Sequence, residues 1–249
     1  MNKVRSRVFR PLMAGASFSD RLVACIGALA GIALTGFVCS HLPLAPHQIP
    51  VLVAPLGASA VLVFAVPASP LAQPWAVVGG NTISALVGVG IAASIPNVPL
   101  AAGLAVGGAI LVMSLLRCLH PPGGAAALTA VIGGAQITEM GYAFAFMPVA
   151  LNSLLLVALG WAFHRVSRHS YPHRAADAPA ASTGIEMADI DKALSELGET
   201  FDVSREDLDS LIRAAERHAD ARRSTGPRAA AQRSKPAAND RLAPPEKAA

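Results

Sequence analysis

Few residues in the apolar part of this sequence can do chemistry, and they are spaced in a suggestive way. Of its 20 Lys and Arg and 16 Asp and Glu residues, only Arg117 and Glu139 lie between Leu22 and His164. His120 opens the run His120-Pro121-Pro122-Gly123-Gly124, and Pro55-Leu56-Gly57-Ala58-Ser59 echoes its proline–glycine part. A helix that starts at Gly57 or Gly123 presents its first-turn N–H groups, which carry partial positive charge and suit a small anion. Glycine lets a ligand approach the backbone, and alanines behind it allow close helix packing. Ser59, Thr129, Asn81 and Asn152 extend the candidate shell, and Arg117 and His120, just before the second break, add charge. An arginine in hydrocarbon costs about 2.5–3.5 kcal/mol on insertion scales and is read as functional by default. The same residues have structural uses: Arg117 can snorkel, His120 can bond a carbonyl freed by the prolines, and the asparagines can join helices.

The chemistry expected of this set is the binding and passage of a small inorganic anion. The apolar block has no Asp, which excludes a Ser-His-Asp arrangement, and it has no acidic pair for general acid–base work. Cys-x-His occurs at Cys39/His41 and Cys118/His120, but neither pair has a third ligand beside it. We therefore expect no enzyme, no metal and no cofactor. Cys25, Cys39 and Cys118 are an odd number in apolar stretches and read as buried small hydrophobes.

Composition sets the environment in which these residues must work. Hydrophobic residues make up 53% of the 249, charged residues 14%, and mean hydropathy is +0.48. An ordinary soluble domain has about 25% charged residues. A soluble fold needs charges on its outer faces, so a soluble globular enzyme and a nucleic-acid-binding domain are both excluded. The pI of about 9.3 comes from basic flanks beside an apolar block. The implied partner is the lipid bilayer.

Prolines divide the block. Leu22–Ser40, Trp75–Ile95, Leu100–Leu119 and Tyr142–Phe163 are continuous apolar spans. Ile49–Val66, interrupted by Pro50 and Pro55, and the small-residue stretch Gly123–Ala135 are poor membrane-crossing helices. The order is long helix, broken P-x-G-A segment, then helix with Asn, and it occurs twice, as an internal duplication would give. The predicted fold is all-α and polytopic, with about four full transmembrane helices, two broken or re-entrant Pro/Gly segments and a short soluble helical tail. Six crossings remain the alternative, and four plus two is favoured. Lys3, Arg5, Arg7, Arg10 and Arg21 before the first span, with Arg165, Arg168 and Arg174 after the last, place both termini in the cytoplasm. Four helices make a thin wall, so a homo-oligomer is expected. In the tail, Ile190, Leu194 and Leu197 predict a helix over 185–197 with Gly198 as its C-cap. Ser204 with Asp207 starts a second helix that reaches Ala215.

His120-Pro121-Pro122-Gly123-Gly124-Ala125-Ala126-Ala127-Leu128 resembles the HPP family of integral membrane proteins, named for that tripeptide. The likeness extends to Pro55-Leu56-Gly57-Ala58-Ser59-Ala60-Val61, Ser69-Pro70-Leu71-Ala72-Gln73-Pro74, Gly79-Gly80-Asn81, Ser84-Ala85-Leu86-Val87-Gly88 and Pro148-Val149 with Asn152, and covers residues 15 to 165. The resemblance implies four transmembrane helices, a multi-pass place in a bacterial inner membrane and, through plant chloroplast and cyanobacterial relatives, nitrite as the anion. Many bacterial members carry a pair of CBS nucleotide-sensing domains after the membrane part. Residues 190–199 look like the connector that precedes them, but after Arg223 there is no room for the pair. Nucleotide regulation in cis is not expected. The implied organisation is an N-terminal tail (1–20), a membrane domain (21–165), a linker (166–184), a helical connector (185–220) and a disordered tail (221–249). The alternative to transport is a membrane-anchored sensor or interaction module acting through the 185–220 helices.

Overall fold

A computed structural model of the chain describes residues 18–41, 51–167, 169–175, 185–198 and 200–225. They fall into two units that divide between Arg174 and Ala175. The basic N-terminal residues Lys3 to Arg10, most of the linker and the tail beyond 225 lie outside the described residues.

In the first unit the apolar spans are helices. Helix α1 is Phe18–His41, α3 is Pro74–Ser94 and α4 is Val98–Leu115. The last span, Ala145–Ser167, begins with a wide helical turn over Ala145–Ala150 and continues as α7, Leu151–Ser167. These four are long and apolar enough to cross a membrane. The broken segments are short helices: α2, Pro55–Ala65, has 11 residues and α5, Pro121–Ile132, has 12. At 1.5 Å per residue each is roughly 17 Å long, about half the ~30 Å hydrocarbon thickness. Neither crosses alone. Both start on proline at the first helical position, where its missing N–H costs nothing and its φ is already helical. The stretch after residue 123 is thus helical, and a further short helix, α6 (Ala135–Met140), follows it.

The helices pair in a symmetric way. Helix α1 packs on α2 and α7, and α7 on α2; α4 packs on α5 and α3, and α3 on α5. The two triads meet through α2 against α5 and α3 against α7. Exchanging α1 with α4, α2 with α5 and α3 with α7 leaves this pattern unchanged, which is what a duplicated unit predicts. The third helix of each half completes the other half's triad.

The closest crossing is α3 on α5. Gly80, Ser84 and Gly88 recur every four residues on α3 and are buried, facing Gly123, Ala127 and Ala130 of α5. Small residues at this spacing let two backbones approach, which in lipid is the main source of helix association. Elsewhere Leu56, Val63, Phe64, Val77, Phe144, Val149 and Leu156 form the packed interior. Phe18, Leu29, Phe37, Leu111 and Leu115 face outward, as an apolar solvent allows.

Two boundaries differ from the sequence expectation. Helix α4 ends at Leu115, four residues early, because Arg117 takes a left-handed backbone (φ +54°) and residues before Pro121 are pushed out of the helical region. The membrane unit ends at Arg174 rather than 165. The chain after α7 folds back, and the Tyr171 hydroxyl donates to the Ala72 carbonyl at 3.0 Å. The His173 N–H donates to Gln73 Oε1 at 2.9 Å. Burial pushes the Tyr171 phenol up from its ordinary pKa, so it stays a neutral donor.

The second unit is a helix pair, α8 (Met187–Leu197) and α9 (Arg205–Thr225). Gly198 caps α8 in the left-handed region, as predicted. Ser204 Oγ accepts the Asp207 N–H at 3.1 Å, the expected cap. Helix α9 runs ten residues past the expected Ala215, so residues 221–225, expected in a disordered tail, are helical. Past Ala215 the apolar periodicity fades, and intrahelical pairs such as Arg223 with Asp220 stand in for it.

Candidate functional site

Four elements of the membrane unit bring polar side chains to one buried place. His120 precedes Pro121 and is therefore extended (φ −142°, ψ 106°), which turns its ring inward at the start of α5. Ser59 lies one turn into α2, Asn81 faces inward two turns into α3, and Ser153 follows the kink at Met147–Pro148 that starts the last span. All four are at most 1% exposed.

Their hydrogen bonds form a directed chain. His120 Nδ1 lies 2.8 Å from the Leu71 carbonyl, which only accepts, so Nδ1 carries the hydrogen. In the neutral ring Nε2 is then the acceptor, and Ser59 Oγ donates to it at 2.8 Å. Ser59 Oγ in turn accepts from Asn81 Nδ2 at 3.0 Å, and the same amide donates to Ser153 Oγ at 3.2 Å. Leu71 belongs to the short 3-10 turn Pro70–Ala72, which Ser69 Oγ and the Gln73 side chain hold by further bonds. Asn81 Oδ1, Ser84 Oγ and Thr82 Oγ1 are buried and have no hydrogen-bond partner among the described residues. A buried polar atom left unpaired costs about 1–3 kcal/mol, so such atoms call for a functional account.

The structure gathers only part of the predicted set. Ser59, His120 and Asn81 come together, 61 and 22 residues apart in the chain. Asn152 does not join them. Its Oδ1 accepts from the Val53 N–H at 3.2 Å, while Nδ2 donates to the Val51 carbonyl at 3.1 Å and to Cys39 Sγ at 3.3 Å. It ties the approach to α2 onto α7 and α1. Asn152→Ala is expected to lower stability by about 2–3 kcal/mol, read as an earlier thermal unfolding midpoint in detergent. Arg117 is exposed, makes no ion pair among the described residues and stands beside the Leu116 carbonyl that accepts from Trp75 Nε1 at 3.1 Å. Thr129 Oγ1 bonds the Ala125 carbonyl of its own helix at 2.7 Å.

Two of the expected helix-terminus donors are already bonded. The Gly57 N–H donates to the Ala54 carbonyl at 3.1 Å, and the Gly123 N–H to the His120 carbonyl at 2.8 Å. Proline has no N–H to offer at Pro55, Pro121 or Pro122, and the first turn closes on the preceding carbonyls. Gly57 faces open space, and Gly124 has ordinary room beside Val106. Gly123 is a packing residue: a Cβ there would lie 2.7 Å from Ser84 Oγ and 2.9 Å from the Gly80 carbonyl. The buried polar chain, rather than the helix ends, is the candidate site. Ser153, Ser84 and the Leu71 carbonyl were missed in the sequence, although the two serines stand one and three residues after the asparagines that were found.

Residues 13–172 match the family model described as HPP, transmembrane region. Over 130 residues the chain is 38% identical to a transmembrane protein of Dictyostelium discoideum, covering 50% of this chain and 45% of the relative. A second transmembrane protein of the same organism is 44% identical over 109 residues, 41% of this chain and 35% of the relative. The matched region thus spans less than half the length of these relatives. No solved structure matches the chain.

Proposed function

Because the chain belongs to the HPP family of integral membrane proteins, we propose that it moves a small inorganic anion across the membrane, with His120, Ser59, Asn81 and Ser153 forming the binding site. The observation that carries this reading is the buried polar chain between the two half-length helices. A histidine, two serines and an asparagine sit fully buried where α2 meets α5, and Asn81 Oδ1 and Ser84 Oγ have no hydrogen-bond partner among the described residues. Short proline-started helices in corresponding positions of two halves are the usual sequence mark of a transport site. Nitrite is the anion to try first, since the family resemblance suggests it. The proposal puts both termini on the cytoplasmic side of a bacterial plasma membrane, from the basic residues at the two flanks. Purified protein in lipid vesicles is expected to take up nitrite faster than protein-free vesicles; equal rates, for nitrite and for related small anions, contradict the reading.

One observation favours a second reading, a membrane-anchored interaction module. Helices α8 and α9 leave between them an apolar cleft of about 490 Å³, lined by Ile190, Leu194, Leu197, Phe201, Leu208 and Ile212. A chain ended after Arg174 keeps the Tyr171 and His173 contacts and should transport at the full rate if the membrane unit is the functional part. A chain ended before His169 loses both contacts to the 70–73 turn, and its uptake is expected to fall about 5–10-fold, the equivalent of one to two lost hydrogen bonds. If the chain ended after Arg174 folds but has lost the activity of the full chain, the interaction-module reading is the better one.

A further inference from the structure

We infer that this site takes the anion together with one proton held on His120, so that the two cross as a pair without net charge. The inference rests on the transport reading above. It starts from what faces the imidazole. Ser59 of α2 and the Leu71 carbonyl of the 70–72 turn bond the ring, Gly80 of α3 lies beside the His120 Cβ, and the Pro55 carbonyl and Asn81 bond Ser59 in turn. Helix α4 contributes Met113 Sδ, and the chain after it the Cys118 backbone carbonyl, both beside Gly80. No carboxylate, lysine or arginine faces the ring among the described residues. Arg117 is exposed. Asp20 and Glu139, the acidic residues of the described membrane unit, lie in the first turn of α1 and at an exposed position of α6.

A site with no countercharge cannot hold either ion alone at small cost. A bare anion would lie in low dielectric next to Asn81 Oδ1, a buried acceptor with no partner among the described residues, which repels it. An imidazolium alone would be equally unsupported. Each offsets the other when both are present, and Coulomb attraction is strong where water is excluded.

The hydrogen-bond chain can accept the proton with every heavy atom in place. In the neutral state the Ser59 hydroxyl donates to Nε2. When Nε2 gains a proton it becomes the donor to Ser59 Oγ, and the hydroxyl hydrogen turns to the Pro55 carbonyl, 3.2 Å away. Leu71 keeps the Nδ1 hydrogen in both states. The proton comes from water on the entry side, occupies the Nε2 lone pair and leaves to water on the exit side. No bond to the anion forms or breaks.

The test follows nitrite and internal pH together in vesicles containing the full chain, with protein-free vesicles subtracting diffusion of the neutral acid. The expected result is one proton entering per nitrite and an initial rate unchanged when a potassium ionophore clamps the membrane potential. Folded His120→Asn, which retains a polar amide but holds no proton, is expected to show no acidification above protein-free vesicles. Uptake that depends on potential and carries no proton overturns the inference and leaves the transport reading standing. Acidification by His120→Asn equal to that of the wild type also overturns it. No uptake of nitrite or related small anions above protein-free vesicles overturns both.

Discussion

Gly88→Leu is expected to yield no folded protein, seen as loss of the monodisperse peak in detergent. A Cβ at position 88 would lie 2.4 Å from the Ala127 carbonyl oxygen and 2.8 Å from its Cα. Both are backbone atoms of α5, so the strain cannot be relieved by turning a side chain. Helices α3 and α5 must move apart, and the neighbouring contacts of Gly80 and Gly123 are lost with them. Overpacking in a well-packed interior typically costs about 1–3 kcal/mol. A leucine forced between two backbones at their closest crossing should exceed that range. The control is Gly103→Leu or Gly107→Leu on α4, where an added Cβ meets nothing within 4 Å. These should fold normally, since glycine in a helix interior is about 1 kcal/mol less favourable than a good helix former. Folded Gly88→Leu would show that the crossing is looser than described.

Asn81→Leu is expected to fold and to lose uptake entirely, to the level of protein-free vesicles. The two side chains are similar in volume, so no large cavity opens. Ser59 keeps the Pro55 carbonyl as a local partner, and the unpartnered Oδ1 disappears. The change also takes the amide donor from Ser153 Oγ, and leaving one buried partner unsatisfied costs about 1–3 kcal/mol, so the variant is expected to fold with a lower unfolding midpoint. Transport, by contrast, loses the group that links Ser59 to Ser153. An asparagine that served only to join helices would give the same loss of stability with uptake retained.

The physical signals in the sequence explain which parts of this structure were legible. Four long apolar runs and two proline-broken ones are set by hydrophobic length and by the missing N–H of proline, both local properties. They gave the helices to within a few residues. The symmetric pairing of the helices was foreshadowed by the recurrence of Pro-x-Gly-Ala and Asn in the same order. The site was half readable. His120, Ser59 and Asn81 were identified as polar residues in an apolar block. Which of them meet depends on α3 lying in contact with α5 and α7, and no local pattern encodes that. Arg117 drew attention by its charge, yet a left-handed corner at the end of α4 leaves it exposed. The helix-start donors were inferred from glycine positions. The prolines have no N–H to offer, and the Gly57 and Gly123 N–H groups bond preceding carbonyls. Tyr171 and His173 fell outside the expected domain because their anchoring bonds reach back about 100 residues, to Ala72 and Gln73.

The most direct test of the central claim compares initial nitrite uptake by vesicles holding equal amounts of folded wild-type protein, Asn81→Leu and His120→Asn. The buried His120–Ser59–Asn81 chain predicts uptake by the wild type and none above protein-free vesicles by Asn81→Leu, with His120→Asn reduced at least about tenfold. Equal uptake by all three would contradict it and place the path elsewhere in the molecule.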